Sequence, residues 1–259
     1  MTPVGSQGSR RASSRGLPGT RLDGTQSALL RLTRRVLRAL VGLVAAGGVR
    51  VEGMGNVPGD GPLLICSNHV SNFDPLLWAA LLPRVLHALT KAELFANPVL
   101  GGFLIRCNCI PVRRGTSDRL AIRSALAVLQ SGGALLLFPE GHRAQGGLME
   151  FEGGAGFLAT RSGAAVLPCA VWGTEKILPK HRLIPRRGVI QVRLGEPFHP
   201  LGQDPLAVSR QIQSRVSDLL PGAYRGSADR GELDREDQGG IDGDGSGRGA
   251  AVGKRRRDH

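Results

Sequence analysis

The feature that most constrains this chain is an apolar run followed at once by polar residues of catalytic type. Residues 62–66, Pro-Leu-Leu-Ile-Cys, are typical of a buried strand. Asn68, His69 and Asp74 come next, and Asp74 precedes Pro75. Proline is tolerated at the first helical position, so it favours a helix start here. The segment therefore predicts a strand, a tight loop and a helix.

This local structure would bring His69 and Asp74 together at the open edge of a sheet. A carboxylate beside an imidazole holds the ring in one tautomer and orientation. An imidazole held in this way acts as a general base near neutral pH. The run contains no obvious nucleophile, so the pattern indicates a base that activates a hydroxyl group of the substrate.

Alternating strand and helix patterns follow along the chain and predict one α/β domain over residues 49–222. Its central sheet is expected to be mixed but largely parallel, flanked by helices and preceded by an amphipathic N-terminal helix. The continuous apolar run at 134–138 is typical of a central strand covered on both faces. Pro168 interrupts the apolar run 165–173 and predicts an edge strand or a bulge. Residues 97–104 predict a short helix broken by two adjacent glycines.

The two ends of the chain differ from the core in composition. Residues 1–26 are rich in Gly, Ser, Thr and Arg, and residues 223–259 are charged with few apolar residues. Neither segment can bury enough apolar surface to offset its ordering entropy, so both are predicted to be disordered. The formal net charge is +13, and residues 1–50 contain nine arginines against the single acid Asp23.

A basic end usually binds nucleic acid or an anionic membrane. Aromatic residues make up only 4% of the chain, and no RNA-binding signature or zinc-finger spacing is present. The membrane surface is therefore the expected partner, and no nucleic acid is expected.

Residues 27–48 form the amphipathic segment expected at the membrane. Leucines and valines cover a wide apolar sector, and four arginines lie largely on the other side. The uninterrupted apolar part, about ten residues, is shorter than the roughly 20 that a spanning helix needs. The pattern favours a helix in the membrane interface. A helix packed on the core, a signal peptide and a spanning segment remain alternatives.

The four cysteines, Cys66, Cys107, Cys109 and Cys169, lie in or beside apolar runs. Their spacing matches neither a metal site nor a disulfide framework. The sequence therefore predicts reduced, buried cysteines and no metal ligands.

Two further motifs follow apolar strands. Arg113 and Arg114 come after Ile110-Pro111-Val112, and arginine suits bidentate phosphate binding. Glu140, Gly141 and Arg143 follow the run at 134–138, where α/β sheets usually bind ligands. Glu140 could bind hydroxyl groups or hold an arginine in place, and Gly141 allows a close backbone approach. Taken alone, the two arginines are more typical of a solvated basic strand end, and the second motif is more typical of a surface Glu/Arg turn than of a site.

Together these motifs resemble the glycerolipid acyltransferase family, the 1-acyl-sn-glycerol-3-phosphate acyltransferases. Four family blocks occur in order within about residues 49–200. They are matched, in turn, by Asn68, His69 and Asp74; by Ile110 to Arg114; by Phe138, Pro139, Glu140, Gly141 and Arg143; and by Val166 to Val171.

The resemblance implies acyl transfer to 1-acyl-glycerol-3-phosphate, giving phosphatidic acid. His69 would be the base, oriented by Asp74, and the donor would be a thioester of coenzyme A or acyl carrier protein. The substrate-binding residues implied are Asn68, Arg113, Arg114, Glu140, Gly141 and Arg143. No metal or redox cofactor is implied. The expected location is the cytoplasmic face of the cell membrane, peripheral or monotopic.

Three other functions stay open from the sequence. The acceptor could be another lysophospholipid, an amino-acid lipid or a glycolipid. The chain could also be a non-catalytic lipid-binding or scaffold protein, which the presence of both His69 and Asp74 disfavours. A nucleic-acid binder using the basic ends is the third alternative.

Overall fold

A computed structural model of the protein describes residues 24–45, 47–113, 118–144, 147–179, 184–200 and 204–225, with side chains from residue 32 onward. The seven strands are Val49–Glu52 (β1), Leu63–Ser67 (β2), Leu86–Lys91 (β3), Cys109–Val112 (β4), Ala134–Leu137 (β5), Ala165–Trp172 (β6) and Ile190–Leu194 (β7). The α-helices are Gly24–Val44 (α1), Asp74–Leu81 (α2), Pro98–Arg106 (α3), Arg119–Gln130 (α4), Gly154–Ser162 (α5), Thr174–Ile177 (α6) and Pro205–Leu219 (α7). Short 3₁₀ turns lie at Met54–Asn56, Ala92–Ala96 and Gly222–Tyr224.

The strands form one seven-stranded sheet in the order β1-β7-β6-β2-β5-β3-β4. All neighbouring pairs are parallel except β6 and β7, which are antiparallel. The predicted α/β fold with a mixed, largely parallel sheet is confirmed. Strands β2, β5 and β6 form the centre, and β2 is buried along its whole length because it is covered on both faces.

The crossover connections place the helices in two layers. The connections through α2 and α3 step toward the β4 edge, while those through α4 and α5 step back. Right-handed crossovers therefore put α2 and α3 on one face and α4 and α5 on the other. The core clusters agree, since Leu77 and Trp78 of α2 pack with α1 on one side of the sheet. On the other side α4, α5 and α7 share a second cluster.

Helix α1 packs on α2 through Val41 and Ala45, which are buried. Two of its arginines bond to the end of α2: Arg34 donates to the carbonyl of Leu82, and Arg38 Nε donates to the carbonyl of Ala80 at 2.8 Å, whereas Arg35 is exposed. A set of apolar side chains on α1 is instead exposed: Leu32, Val36, Leu40 and Leu43. The helix therefore presents apolar residues both to the core and to the outside, which differs from the single apolar sector that the sequence predicted.

The helix begins at Gly24, three residues before the predicted start at Ser27. Among the residues that the structure describes, no helix is long and apolar enough to cross a membrane. Residues 1–23 and 226–259 lie outside the described ranges, so the disorder expected at the two ends stays a prediction, as do the domain boundaries.

The two alternatives predicted at Pro168 have different outcomes. The edge alternative is wrong, because β6 is an interior strand. The bulge alternative agrees with the pairing at Pro168, since Cys169 pairs with Leu194 whereas Val166 pairs with Phe198, one residue out of register. The missing N–H of Pro168 faces the β7 side, where the ladder gives way to that isolated bridge. Helix α3 is not broken by its two glycines, contrary to the prediction, because Gly101 packs directly against the backbone of Phe95 and stabilises the turn before it.

The contact between α5 and α7 yields a stability prediction. A Cβ built on Gly156 would overlap the carbonyl of Pro205, whereas one built on Gly154 meets nothing within 4 Å. We expect Gly156→Ala to lower the free energy of unfolding by about 1–3 kcal/mol through overpacking. Gly154→Ala should leave it unchanged or raise it by up to about 1 kcal/mol, since alanine favours the helix. Urea denaturation of both variants measures the difference, and equal effects would contradict the close approach of the two helices.

Candidate active site

His69 and Asp74 meet at the carboxyl end of β2, where the strand runs out into the loop before α2. Nδ1 of His69 lies 2.9 Å from Oδ2 of Asp74. The Asp74 side chain is fully buried, and the His69 side chain is 7% exposed. The predicted pairing of these two residues is present, and the predicted helix start at Asp74 and Pro75 is confirmed.

The Asp74 carboxylate is fixed by four hydrogen bonds. Oδ2 accepts the main-chain N–H groups of Val70 and Ser71, each at 2.8 Å, in addition to the imidazole. Oδ1 accepts the hydroxyl of Thr174 at 2.5 Å. Asp74 also lies in the first turn of α2, where the helix dipole favours a negative charge. The carboxylate is therefore held rigidly without a cationic partner.

These bonds select the tautomer of His69. Oδ2 of Asp74 already accepts two backbone protons, so it acts as an acceptor toward the imidazole and Nδ1 carries the hydrogen. Nε2 then has a free lone pair. The arrangement places an oriented imidazole at the carboxyl edge of the parallel strands.

Neighbouring loops hold His69 in place. Its ring stacks on Phe138, with ring centroids 4.2 Å apart and an interplanar angle of 24°. Its main-chain N–H donates to Oε1 of Glu140 at 2.7 Å, and its carbonyl accepts from Ala144 N at 2.8 Å. The loop after β5 thus contacts the ring, the main-chain N–H and the carbonyl of His69.

Glu140 is a buried carboxyl group that accepts two main-chain hydrogen bonds. Its second oxygen accepts from the N–H of Met149 at 3.0 Å, so it connects two loops. Burial raises the pKa of Glu140 to about 7, the two backbone N–H donors oppose that rise, and the charge of Asp74 adds to it. No ion pair from an arginine to Glu140 occurs among the described residues, so here it holds backbone groups rather than an arginine.

Asn68 is tied to the neighbouring strand. Its Nδ2 donates to the carbonyl of Val171, and its Oδ1 accepts from the N–H of the same residue, both at 2.8 Å. A substrate contact from Asn68 would therefore use the second Nδ2 proton. The geometry assigns it first to joining β6 to the loop that carries His69.

The remaining predicted residues lie around the same edge. Arg113 is exposed at the end of β4, and its N–H donates to Asp118 at 3.0 Å. Gly141 has φ of +70°, and it accommodates the tight turn there because it lacks a side chain. Arg143 is half-buried in the loop that bonds to the His69 carbonyl. Arg114 lies outside the described residues.

A groove of about 590 Å³ opens beside this edge, between the sheet and helices α4 and α5. Phe138 lines the groove and also stacks on His69, so one ring separates the groove wall from the imidazole. Apolar side chains line its inner part, including Leu89, Ile122 and Leu158. Arg113 and Glu152 lie at its wall as charged groups. The groove combines an apolar slot with a polar end, as small-molecule sites usually do.

The cysteines near the site are unsuited to nucleophilic attack. Cys66 and Cys169 are fully buried, and burial raises the pKa of both thiols far above neutrality. Among the residues with a described position, no group of three His, Cys, Asp or Glu side chains is placed to hold a metal ion.

The site includes two residues that sequence reasoning missed as functional. Thr174 supports Asp74 across a separation of 100 residues. The sequence contains one signal for Thr174: it follows the apolar run of β6, and parallel strands end at the same edge of a sheet. Phe138 was recognised as part of a block, but its stacking on His69 depends on how β2 and β5 are paired.

Comparison with known proteins gives a consistent result. A family model described as "Acyltransferase" matches residues 48–172. The chain is 34% identical over 195 residues to the lyso-ornithine lipid O-acyltransferase of Pseudomonas aeruginosa, covering 68% of this chain and 74% of that protein. It is 26% identical over 181 residues to the 1-acyl-sn-glycerol-3-phosphate acyltransferase of Bacillus subtilis, covering 67% and 88%.

A chloroplastic 1-acyl-sn-glycerol-3-phosphate acyltransferase of Arabidopsis thaliana is 28% identical over 177 residues, which cover 66% of this chain and about half (49%) of that protein. The fold matches the crystal structure of the 1-acyl-sn-glycerophosphate acyltransferase of Thermotoga maritima with a TM-score of 0.63 and 24% identity. That match covers 75% of this chain and 80% of the other.

The raised pKa of Glu140 predicts a pH-dependent stability. The folded state binds this proton more tightly than the unfolded chain does, so the contribution to stability is present below about pH 4.5 and is lost as the pH rises through about 7. Glu140→Gln cannot titrate. We expect the free energy of unfolding of the wild type, relative to this variant, to fall by on the order of 1–3 kcal/mol between pH 4.5 and 7.5.

Urea denaturation at several pH values measures that difference. The exposed Glu150→Gln substitution, in the same loop, is the matched control and should show no such slope. A wild-type stability that tracks the Glu140→Gln variant at every pH would contradict a raised pKa.

Proposed function

The chain belongs to the acyltransferase family, and we propose that it transfers a fatty acyl group from a thioester to the free hydroxyl of 1-acyl-glycerol-3-phosphate. The product would be phosphatidic acid. The donor would be acyl-CoA or an acylated carrier protein. The observation that carries the proposal is the His69–Asp74 pair, with Nε2 free to accept a proton beside an apolar groove.

The proposed reaction is a direct transfer without a covalent enzyme intermediate. His69 Nε2 takes the proton of the acceptor hydroxyl as the hydroxyl oxygen attacks the thioester carbonyl. The tetrahedral intermediate then collapses, the C–S bond breaks, and the imidazolium returns its proton to the leaving thiolate. Asp74 stabilises the imidazolium between these steps and does not itself take up a proton.

The surroundings of the pair support this chemistry. Asp74 makes its bonds to backbone groups and Thr174, so its charge is preorganised before the imidazolium forms. Phe138 and the buried strands keep water away from the His69 ring. The thiols of Cys66 and Cys169 are protonated and buried, which leaves the substrate hydroxyl as the attacking group.

We assign the two substrates to the two ends of the groove. The acyl chain would occupy the apolar part lined by Leu89, Ile122 and Leu158. The acceptor's phosphate would lie at the polar end with Arg113, and with Arg114 and Arg143 as further cations. Gly141 would allow the glycerol backbone to approach the main chain.

A lyso-ornithine lipid is a second candidate acceptor. The observation in its favour is the 34% identity to the Pseudomonas aeruginosa enzyme of that name, with a longer aligned segment than to the Bacillus subtilis relative. Both acceptors present a hydroxyl to the same base. They differ in the headgroup that the polar end of the groove must bind, so a direct comparison of the two acceptors decides between them.

We further propose that α1 holds the enzyme at the cytoplasmic face of the membrane. An exposed apolar stripe runs along α1, and its contact with water is unfavourable. It consists of Leu32, Val36, Leu40 and Leu43. The segment around the stripe carries arginines and no acid between residues 24 and 50. An interfacial helix with these features binds anionic bilayers.

The first test is acyl transfer from a labelled acyl thioester to lysophosphatidic acid, in parallel with lyso-ornithine lipid. We expect product with the wild type and a loss of roughly 10²–10⁴-fold with His69→Ala, since positioned base catalysis contributes that much. His199→Ala, an exposed histidine remote from the site, is the matched control and should keep full activity.

The result separates chemistry from acceptor choice. Phosphatidic acid formed by the wild type and lost in His69→Ala supports the proposal as stated. Product only with the ornithine acceptor supports the second candidate. Activity that survives His69→Ala would exclude His69 as the base.

The membrane role of α1 gives a separate prediction. We expect Val36→Asp combined with Leu43→Asp to lower binding to anionic vesicles at least about tenfold, because each buried apolar side chain contributes about 1.5–3 kcal/mol. Wild-type binding should weaken with added salt, since basic residues near the surface contribute about 1 kcal/mol each. Vesicle cosedimentation measures both effects. The control is Leu120→Asp on α4, where the leucine is also exposed, and this variant should bind vesicles like the wild type. Unchanged vesicle binding by the α1 double variant would contradict the membrane role of α1.

A further inference from the structure

A second apolar surface lies on η2, the 3₁₀ turn Ala92–Ala96, and on α3. Five large apolar side chains are exposed there within twelve residues: Leu94, Val99, Leu100, Phe103 and Ile105. Val99 is the most exposed of them at 82%. Soluble surfaces rarely carry so dense a patch, and a patch of this kind marks an interaction site.

The topology places this patch on the same face of the sheet as α1. Both α2 and α3 belong to crossovers that step toward the β4 edge, so right-handed connections put them on one side. Helix α1 packs on α2 and therefore shares that side. The exposed apolar groups of α1, Leu76 of α2 and the η2–α3 patch thus form a discontinuous apolar face.

The patch also lies near the active-site edge. Strand β3 is parallel to β5 and β2, so its carboxyl end is on the edge where His69 leaves β2. The 3₁₀ turn follows directly after β3, and α3 begins two residues later. Leu94 and Val99 therefore lie nearer to this edge than Arg106, the last residue of α3, does.

The charges around the patch suit an anionic surface. Lys91 ends β3, Arg106 ends α3, and Arg113 follows β4; the described acids beside them are Glu93, 3.7 Å from Lys91, and Asp118, which accepts from the main-chain N–H of Arg113. Helix α1 adds the exposed Arg35 and contains no acid. An apolar patch with a basic rim is the arrangement that binds the interface of an anionic bilayer.

The patch lies on a helix that is fixed by an N-terminal cap and by close backbone packing. The side chain of Asn97 caps α3 by accepting from the N–H groups of Val99 and Leu100, each at 3.0 Å. Gly101 lets α3 approach the backbone of Phe95 closely, where a side chain would collide. Apolar side chains displayed on a capped, tightly packed helix lose little further freedom when they insert into lipid.

We propose that η2 and α3 form a second membrane-docking surface, which inserts into an anionic phospholipid bilayer and turns the His69 edge toward it. Two contacts on one face define an orientation, whereas α1 alone would leave the enzyme free to rotate about that helix. The inference rests on the proposed function only in the role that it gives to docking, which is to bring the active site to lipid. Docking itself can be measured without catalysis.

The test compares two double variants of the full chain on vesicles of equimolar phosphatidylcholine and phosphatidylglycerol. Val99→Asp with Phe103→Asp changes the patch. Leu120→Asp with Leu206→Asp changes residues of similar exposure, 72% and 56% against 82% and 49%, on the other face. We expect the first pair to weaken vesicle binding at least about tenfold and the second to stay within about twofold of the wild type.

A second measurement does not depend on losing binding. Phe103→Trp and Leu120→Trp each add one indole to a chain whose own tryptophans, Trp78 and Trp172, are buried. Brominated lipids should quench the added fluorescence in the Phe103→Trp protein and not in the Leu120→Trp protein. Equal quenching of the two, or none in either, would overturn the proposal.

Other outcomes are also decisive. Equal vesicle binding by both double variants overturns the docking surface. A wild type that is a dimer in solution, and that Val99→Asp with Phe103→Asp makes monomeric without affecting vesicle binding, would show a self-association surface instead. Acyl transfer to acceptor dispersed in detergent tests the proposed function separately: its absence would count against that function and leave the docking result standing.

Discussion

The Asp74 carboxylate is the interaction on which the rest of the site depends. It is fully buried, so its charge is tolerable only because Val70, Ser71, Thr174 and the imidazole all donate to it. Those four donors come from the loop after β2 and from Thr174, the first residue of α6. The carboxylate therefore fixes the shape of the loop, the tautomer of His69 and the spacing of two strand ends at once. A lost donor would disturb the orientation of the base.

The loop after β5 adds a second layer of support. Glu140 accepts from His69 N and Met149 N, Ala144 N donates to the His69 carbonyl, and Phe138 stacks on the ring. The His69 ring is thus held by Asp74 of α2 and by Phe138, and its main chain by the loop after β5. Two carboxyl groups lie close to this residue, Asp74 with four hydrogen-bond donors and Glu140 with two main-chain N–H donors. Glu140 is the one whose pKa burial raises to about 7, and Asp74 adds to that rise.

Local sequence signals predicted the parts of this site that local physics determines. The apolar run at 62–66 and Pro75 at the helix start each have a short-range cause, and each was predicted from neighbouring residues. Most of the wrong or missed features involve distant partners. Thr174 reaches Asp74 only because β6 lies beside β2, and Pro168 is tolerated inside the sheet only because β7 leaves its ladder at that point. The direction of the α1 arginines also depends on α2, which no periodicity in α1 could reveal.

Helix α2 connects the chemistry to the surface that we place at the membrane. Asp74 lies at its first turn, and Arg34 and Arg38 donate to the carbonyls of Leu82 and Ala80 at its end. Both ends of the helix dipole are therefore matched by opposite charge, one from the site and one from α1. These two bonds add to the apolar packing of Val41 and Ala45 in attaching α1 to the domain. The attachment uses one side of the helix only, because Leu32, Val36, Leu40 and Leu43 remain exposed. One helix can therefore be firmly attached to the catalytic domain and still present an apolar stripe outward.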